Sequence, residues 1–182
     1  ALTMQRILVA WILLAIAASP AVAAEQDAGT LLLKELTALR KAANLSELAD
    51  ALGRVPAAYN GSGKGVQGKL RSELGKILKD ANLGDARRPA LRALLKLDDS
   101  KASWKEVSKV MPSARLEVAG DFEIAVVGAA GQLAQSKAVK PLLDLAAKAK
   151  DGQLAAASAK ALGGFKDEKK LRVKILADLI AL

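Results

Sequence analysis

Apolar residues recur every three or four positions along most of the chain, which is the spacing of one face of an amphipathic helix. The clearest example is the stretch 66–81, whose apolar positions share one helical face: Val66, Leu70, Leu74, Ile77, Leu78 and Ala81. The spacing returns over 31–39 and 91–95, and in alanine-rich form after residue 121. The hydrophobic pattern therefore predicts an all-α chain of short helices.

Polar residues and glycines predict where these helices begin and end. Thr30 is a favoured residue type for the N-terminus of a helix. Asn44 and Ser103 each precede a glutamate by three positions, which is the spacing of a capping box. We expect Gly53 to end the helix that Asn44 opens, and the proline- and glycine-rich stretch 56–65 to form a loop.

One stretch fits two kinds of secondary structure. Apolar residues alternate with other residues from position 115 to 127, as they do in a half-buried β-strand: Leu116, Val118, Phe122, Ile124 and Val126. The same residues also continue into an alanine-rich run that favours helix. We favour helix for 121–134 and keep strand as the alternative for 115–127.

The second half of the chain contains an internal repeat. Leu133 and Leu162 both end alanine-rich stretches, and they lie 29 residues apart. Each is followed by a polar turn and then by a predicted apolar helix, at 139–145 and 171–179. Leu52, which precedes a glycine, resembles an earlier copy of the same helix ending. Repeats of this length are typical of stacked helical hairpins that cannot bury their apolar faces alone.

The repeat resembles a HEAT repeat, most clearly over residues 121–182. Its first helix, 138–145, carries the early proline and leucines, and its second helix, 155–163, is alanine-rich and ends in Leu-Gly. The resemblance implies a right-handed α-solenoid of about four to five stacked hairpins of ~30 to 40 residues each. It also implies a scaffold that binds a protein partner and catalyses no reaction.

Residues 1–24 have the layout of a secretory signal peptide. A basic lead that contains Arg6 precedes an apolar run at 7–18, and small residues suited to cleavage follow the Ser-Pro break. We expect cleavage there, which would leave a periplasmic or secreted domain at 25–182. The alternative is an uncleaved anchor over 7–24, which would be the domain's one membrane contact.

The C-terminal residues suggest that the domain continues. The sequence reaches Leu182 within an apolar run, and a terminal apolar helix normally needs a neighbouring repeat to cover it. We therefore expect further chain after this position.

Composition removes several kinds of chemistry. The chain has no cysteine and no histidine, so disulfides, thiolate nucleophiles, imidazole triads and Cys/His metal sites are excluded. The acids are scattered singly, so we expect no enzyme, no cofactor and no metal. Residues 63–69 match the G-x-x-x-x-G-K pattern of a phosphate-binding loop, but Leu70 stands where the motif needs Ser or Thr. We interpret this stretch as a connector.

Basic charge is the main functional feature of the sequence. The net charge is +9, and the stretch 54–96 holds ten basic residues against three acidic ones. Arg88, Arg92 and Lys96 follow one another at four-residue spacing with no acid between them, opposite Leu91 and Leu94. These three cations are the candidate contact for an anionic partner.

Several partners and roles remain open for this surface. An acidic protein, anionic lipid headgroups or an acidic polysaccharide would fit the charge, and so would a purely solvated helix face. Nucleic acid is not expected, because Tyr59 is the single aromatic residue of the basic stretch. A non-catalytic accessory subunit of an enzyme is a further alternative to a scaffold.

Overall fold

The computed structural model describes residues 20–165 together with Ile175 and Ala177, and it describes side chains from Ala28 onward. This part of the chain is all-helical and contains eight α-helices: α1 (Pro20–Ala42), α2 (Leu45–Asn60), α3 (Lys64–Lys79), α4 (Arg87–Leu95), α5 (Ser100–Val107), α6 (Asp121–Leu133), α7 (Val139–Lys148) and α8 (Gly152–Leu162). Short 3₁₀ helices are interspersed with them: Ala81–Ala86, Ser108–Val110, Ser136–Ala138 and Gly163–Phe165.

The helices pack as consecutive pairs and in two rows. Helix α1 packs on α2, α3 on α4, α5 on α6, and α7 on α8. We call α1, α3, α5 and α7 the first row, and α2, α4, α6 and α8 the second row. Every helix of the second row contacts the next helix of that row. In the first row α1 contacts α3 and α3 contacts α5, but α5 and α7 make little direct contact.

One apolar core runs through the array. Its fully buried large side chains come from the first to the last described hairpin, and most of them are leucines: Leu36, Leu48, Leu52, Leu70, Leu74, Leu78, Leu94, Leu142 and Leu154. A single hairpin cannot enclose such residues, so each pair of helices depends on its neighbours for burial. The hydrophobic spacing of the sequence predicted this helical core correctly.

Helix α2 is longer than the sequence indicated. Asn44 opens it as expected, because its side-chain oxygen accepts a hydrogen bond from the amide of Glu47 at 3.5 Å. The expected end at Gly53 is wrong, and so is the expected loop at 56–65, because the helix continues to Asn60 with Pro56 inside it. Apolar residues keep helical spacing through Val55, and the burial of that face outweighs the local preferences of glycine and proline.

The same extension removes one proposed repeat boundary. Leu52 lies within α2 and is buried, so it is not an earlier copy of the helix endings at Leu133 and Leu162. Those two endings are confirmed, since α6 ends at Leu133 and α8 ends at Leu162.

Two further helix starts differ from expectation. Thr30 lies inside α1, which is described from Pro20 and continues across the expected cleavage position. Helix α5 begins at Ser100, and its N-cap is Asp99, whose side chain accepts from the amide of Ala102 at 2.9 Å. Ser103 is instead buried within α5 and donates to the carbonyl oxygen of Leu94 at 3.0 Å. A buried hydroxyl satisfied by a neighbouring helix gives the same residue type a different role.

The ambiguous stretch 115–127 is resolved in favour of helix. Residues 121–133 form α6, and no strand occurs within the ranges that the structure describes. Leu116 and Val118 belong to the connector at 111–120, and Val118 is 79% exposed, so the alternation there buries no common face. The expected helix at 139–145 is confirmed as part of α7.

The connector at 111–120 is fastened to the last hairpin. The amide of Lys150 donates to the carbonyl oxygen of Ala114 at 3.1 Å, and the amide of Ala119 donates to Asp151 Oδ2 at 3.2 Å. Asp151 also caps α8, where its Oδ1 accepts from the amide of Leu154 at 2.7 Å. These backbone hydrogen bonds lower the pKa of the Asp151 carboxyl, the bond from Leu154 being the largest cause.

Two predictions concern residues at the ends of the chain. Residues 1–19 lie outside the described residues, so most of the expected signal peptide does too. The expected helix at 171–179 is described only at Ile175, which is buried, and at Ala177, which is exposed; both are helical. Among the described helices, none combines the length and the apolar character that spanning a membrane requires.

Candidate binding surface on the second row

Two of the predicted basic residues lie on helix α4, and the third directly follows it as the C-cap. Arg88, Arg92 and Lys96 are exposed, whereas Leu91 and Leu94 are buried. The exposure of all three cations agrees with their four-residue spacing in the sequence.

One of the three cations already has a partner. Arg88 Nη1 lies 3.1 Å from Asp121 Oδ2 at the start of α6. The expectation of a row without any acidic partner is therefore wrong at Arg88, because the fold brings an acid 33 positions away in sequence next to it. With side chains 45% and 87% exposed, this pair stabilises the fold by at most about 1 kcal/mol. Arg92 and Lys96 have no ion pair within the described residues.

Arg92 and Lys96 border a groove between two helices of the second row, which we call the basic groove. Its volume is about 260 Å³, and one wall comes from α2 and the other from α4 with the residue that follows it: Ala49, Leu52, Gly53, Pro56, Pro89, Arg92, Ala93 and Lys96. No carboxylate stands among them. A Cβ atom at Gly53 would have no heavy atom within 4 Å, so the groove is open above this glycine.

The sequence alone did not reveal the contribution of α2 to this groove. The sequence interpretation ends a helix at Gly53 and places Pro56 in a loop, so it predicts no helix wall opposite Arg92. The signal that contradicts that interpretation is the apolar spacing of Leu48, Leu52 and Val55, which continues without interruption past the glycine.

Other cations of the basic stretch hold the fold together. Arg87 donates from Nε to the carbonyl oxygen of Leu78 at 2.9 Å, and its guanidinium lies 3.6 Å from the ring centroid of Phe122. Arg71 donates to the hydroxyl of Tyr59 and forms an ion pair with Asp99 at 3.3 Å. These arginines join neighbouring hairpins, and they leave less charge for a partner than the count of basic residues suggests.

A buried carboxylate uses two more cations. Glu73, which is 2% exposed, accepts from Arg40 Nε at 2.6 Å and from Lys76 Nζ at 2.9 Å. Burial alone would raise the pKa of Glu73, but the hydrogen bonds and charges of Arg40 and Lys76 outweigh it and lower that pKa below its ordinary value. This cluster joins α1 to α3, so we assign it a structural role.

The stretch that resembles a phosphate loop is helical. Gly63 is the N-cap of α3, and residues 64–69 form the first turns of that helix. Helix α2 precedes it, whereas a phosphate loop follows a strand. The interpretation as a connector was also wrong, because only residues 61–63 link the two helices.

A second groove lies between α6 and α8, and we call it the small-residue groove. Its volume is about 420 Å³, and its walls are mostly small and apolar, with two polar side chains at the rim: Ile124, Gly128, Gly131, Gln132, Ala157, Lys160, Ala161 and Gly164. Because the first row covers the other side of these helices, both grooves lie on the outer side of the second row.

Comparisons with known proteins found no similar protein from which a role for this surface could be taken. No family model, no curated protein and no solved structure matches the chain. Within the described ranges, no group of three or more acidic side chains could hold a metal ion.

Proposed function

We propose that the chain is a right-handed, HEAT-like α-solenoid that works as an exported, non-catalytic scaffold and binds an acidic segment of a partner protein. The support for a solenoid is the packing of four successive helix pairs in two rows, in which each pair contacts the next. Stacked helix pairs of this kind present a long surface formed by one row of helices. Export is proposed from the sequence of residues 1–24.

The basic groove is the observation that carries the choice of partner. Arg92 and Lys96 stand exposed on one wall, and the prolines Pro56 and Pro89 contribute apolar surface beside them. An acidic, partly apolar peptide segment would place carboxylates near both cations and bury apolar atoms in the groove. Complementary charge of this kind speeds and orients association.

Three carboxylates among the described residues accept hydrogen bonds that hold helices together or cap them, and these structural roles support a non-catalytic function. Glu73 joins two helices, Asp99 caps α5, and Asp151 caps α8. The sequence offers no cysteine or histidine to act as nucleophile or base. Binding is therefore the activity for which this surface is best suited.

Site-specific crosslinking tests this proposal, because the chain has no native cysteine. A photo-crosslinker attached at Gly53→Cys would lie in the basic groove, and the same group at Gly65→Cys on α3 is the control; neither glycine has a heavy atom within 4 Å of an added Cβ. We expect a partner in envelope extract to be captured from position 53 and not from position 65. Equal capture from both positions would argue against the groove.

Charge reversal tests the role of the cations in the same extract. In the unmodified chain, capture from position 53 should weaken as the salt concentration rises. The double variant Arg92→Glu, Lys96→Glu should abolish this capture. The double variant Lys64→Glu, Lys69→Glu is the control, because it changes the net charge by the same amount. Capture that survives the first variant would overturn the acidic partner. Binding of the unmodified chain to vesicles of anionic lipid, lost in the same variant, would instead favour the lipid-headgroup alternative.

A further inference from the structure

A third groove lies where the first row of helices is interrupted, and we call it the lysine groove. Its volume is about 670 Å³, within the range of about 300–1,000 Å³ that small-molecule sites occupy. One wall is helix α5, and the other is the turn at 135–137 that precedes α7. Trp104, which is 8% exposed, forms part of the apolar surface of α5 within the groove.

Three lysines line this groove. Lys101 and Lys105 lie four residues apart on α5, so they share one side of that helix, and Lys137 belongs to the opposite wall. All three are exposed, and none forms an ion pair within the described residues. Nearby Lys109 differs, because its Nζ lies 2.8 Å from a carboxylate oxygen of Glu106.

The carboxylate in the groove wall is already engaged. Asp99 Oδ1 accepts from the amide of Ala102 at 2.9 Å, and Asp99 Oδ2 forms the ion pair with Arg71 at 3.3 Å. Because Arg71 balances Asp99, the lysines leave the groove with a net positive charge. An anion that enters it would meet several ammonium donors and an exposed hydroxyl, that of Ser136.

The side chain of Gln135 links the two walls of the groove, helix α5 and the turn at 135–137. Gln135 Nε2 donates to the hydroxyl of Ser100 at 3.1 Å and to the carbonyl oxygen of Leu133 at 3.2 Å. This contact fixes the turn that carries Lys137 against the first turn of α5. The backbone positions that carry Lys101 and Lys137 are therefore linked before any ligand binds.

We propose that the lysine groove binds a ligand with clustered phosphate groups. Three lysines that line one groove suit a compact ligand of high negative charge, and lysine is a common phosphate ligand in proteins. The volume leaves room for more than one phosphate group and for an apolar part against Trp104. This site is separate from the basic groove, shares no wall residue with it, and does not depend on the proposed scaffold function.

The binding experiment uses the full chain in a Trp11→Phe background, in which Trp104 is the remaining tryptophan. Sodium tripolyphosphate is the soluble probe. The membrane probe is vesicles of phosphatidylcholine with phosphatidic acid, compared with vesicles of phosphatidylcholine alone so that attachment through the apolar residues 7–18 is subtracted. Calorimetry gives the affinity for tripolyphosphate, the emission of Trp104 reports on the groove itself, and sedimentation measures binding to vesicles.

The test variant is Lys101→Gln, Lys105→Gln, Lys137→Gln, which keeps side-chain length and removes three charges. The control is Lys34→Gln, Lys64→Gln, Lys69→Gln, whose lysines are also exposed. We expect tripolyphosphate binding to shift Trp104 emission and to weaken at least about tenfold in the test variant, with the control unchanged. Circular dichroism shows whether each variant keeps its helices.

The remaining outcomes are equally definite. Loss of vesicle binding in the test variant alone, without binding of the soluble probe, would support the same phosphate chemistry on a lipid headgroup. Binding that falls equally in both variants would reflect net charge and would overturn the site. Absence of binding by both probes would overturn it as well. Arg92→Glu, Lys96→Glu should leave tripolyphosphate binding within about twofold, which separates this proposal from the scaffold.

Discussion

The N-terminal and C-terminal halves of the array close their helix seams in different ways. In the first two hairpins, α2 and α4 contact one another and each buries large side chains such as Leu52 and Leu94, and Gly53 faces open space. In the last two hairpins, α6 and α8 approach so closely that a Cβ at Gly131 would lie 2.7 Å from the carbonyl oxygen of Ala161. A Cβ at Gly164 would clash with the carbonyl oxygen of Gly131.

This difference shows that neighbouring helices of the second row can pack either through large side chains or through direct backbone contact. The N-terminal seam is filled by side-chain volume, so it depends on leucines and leaves open space above Gly53. The C-terminal seam is closed at Gly131 and Gly164 by direct contact between backbones, so it depends on the absence of side chains at those positions. Gly53 and Gly131, one in each seam, should therefore respond in opposite ways to the same substitution.

The largest effect is expected for loss of volume in the N-terminal seam. Leu52→Ala should lower the free energy of unfolding by about 2–5 kcal/mol, because a leucine side chain that is only 1% exposed loses most of its buried apolar atoms. Urea unfolding followed by circular dichroism measures it. Leu31→Ala, at a position 56% exposed, is the control and should change stability by less than about 0.5 kcal/mol. Similar losses in the two variants would contradict a side-chain-filled seam.

The next largest effect is expected for glycine-to-alanine substitutions, which should change the free energy of unfolding in opposite directions at Gly53 and Gly131. Gly131→Ala should destabilise the chain by about 1–3 kcal/mol, because the new Cβ meets backbone atoms that cannot move aside. Gly128→Ala on the same helix and Gly53→Ala on α2 have no heavy atom within 4 Å. Both should instead stabilise by about 0.5–1 kcal/mol through helix propensity. Urea titrations of the three variants give the comparison, and a stabilising Gly131→Ala would refute the close approach.

A smaller effect is expected at the buried carboxylate of the N-terminal half. Glu73→Gln should cost about 1–2 kcal/mol at neutral pH, because Arg40 and Lys76 lose a charged acceptor. Since folding lowers the pKa of Glu73, its contribution is present above about pH 4.3, the ordinary glutamate pKa, and is lost as pH falls through the folded value.

The pH dependence provides the check on that assignment. The difference in unfolding free energy between the natural chain and Glu73→Gln should be constant near neutral pH and should shrink in acid. Glu35→Gln, which removes a carboxylate paired with Arg54 on the surface, should have a smaller effect. A Glu73 difference that grows in acid would show that the sign is wrong.

The smallest effect is expected at the connector of the C-terminal half. Asp151→Ala removes the acceptor for the amides of Ala119 and Leu154, so both should exchange hydrogen faster. Because folding lowers the pKa of Asp151, acid that protonates its carboxyl should have the same local effect. Exchange of the Ala102 amide, capped by Asp99 in another hairpin, is the control in the variant. Unchanged exchange at Ala119 would mean that the connector is held by other contacts.

Much of the fold follows from spacing that the sequence displays. The helical period over 66–79 and the endings at Leu133 and Leu162 are local, and both are confirmed. The inclusion of Ala81 in that helical face is wrong, because α3 ends at Lys79 and Ala81 is exposed in the 3₁₀ helix that follows. The predicted helix end at Gly53 is wrong because the buried face of α2 continues past the glycine. The predicted cap at Ser103 is wrong because Asp99 caps α5 instead. Local preference is weak beside tertiary burial, so breaker residues alone did not locate the end of α2.

The candidate site was less predictable from the sequence than the fold. The exposure of Arg88, Arg92 and Lys96 agrees with their four-residue spacing, and the sequence predicted it. Whether each cation is free depends on contacts between distant residues, and Asp121 reaches Arg88 only after the hairpins stack. The lysine groove is likewise an outcome of stacking, since Lys137 is more than thirty positions from Lys105 in sequence.

The interruption between α5 and α7 has a mechanical consequence. Across this junction the second row carries the contact between hairpins, and the first row carries little. Load along the array would therefore pass mainly through α6 and α8 there. The hydrogen bonds of Gln135 to Ser100 and of the connector to the turn before α8 would be the first contacts strained if the hairpin of α7 and α8 bent away from α5.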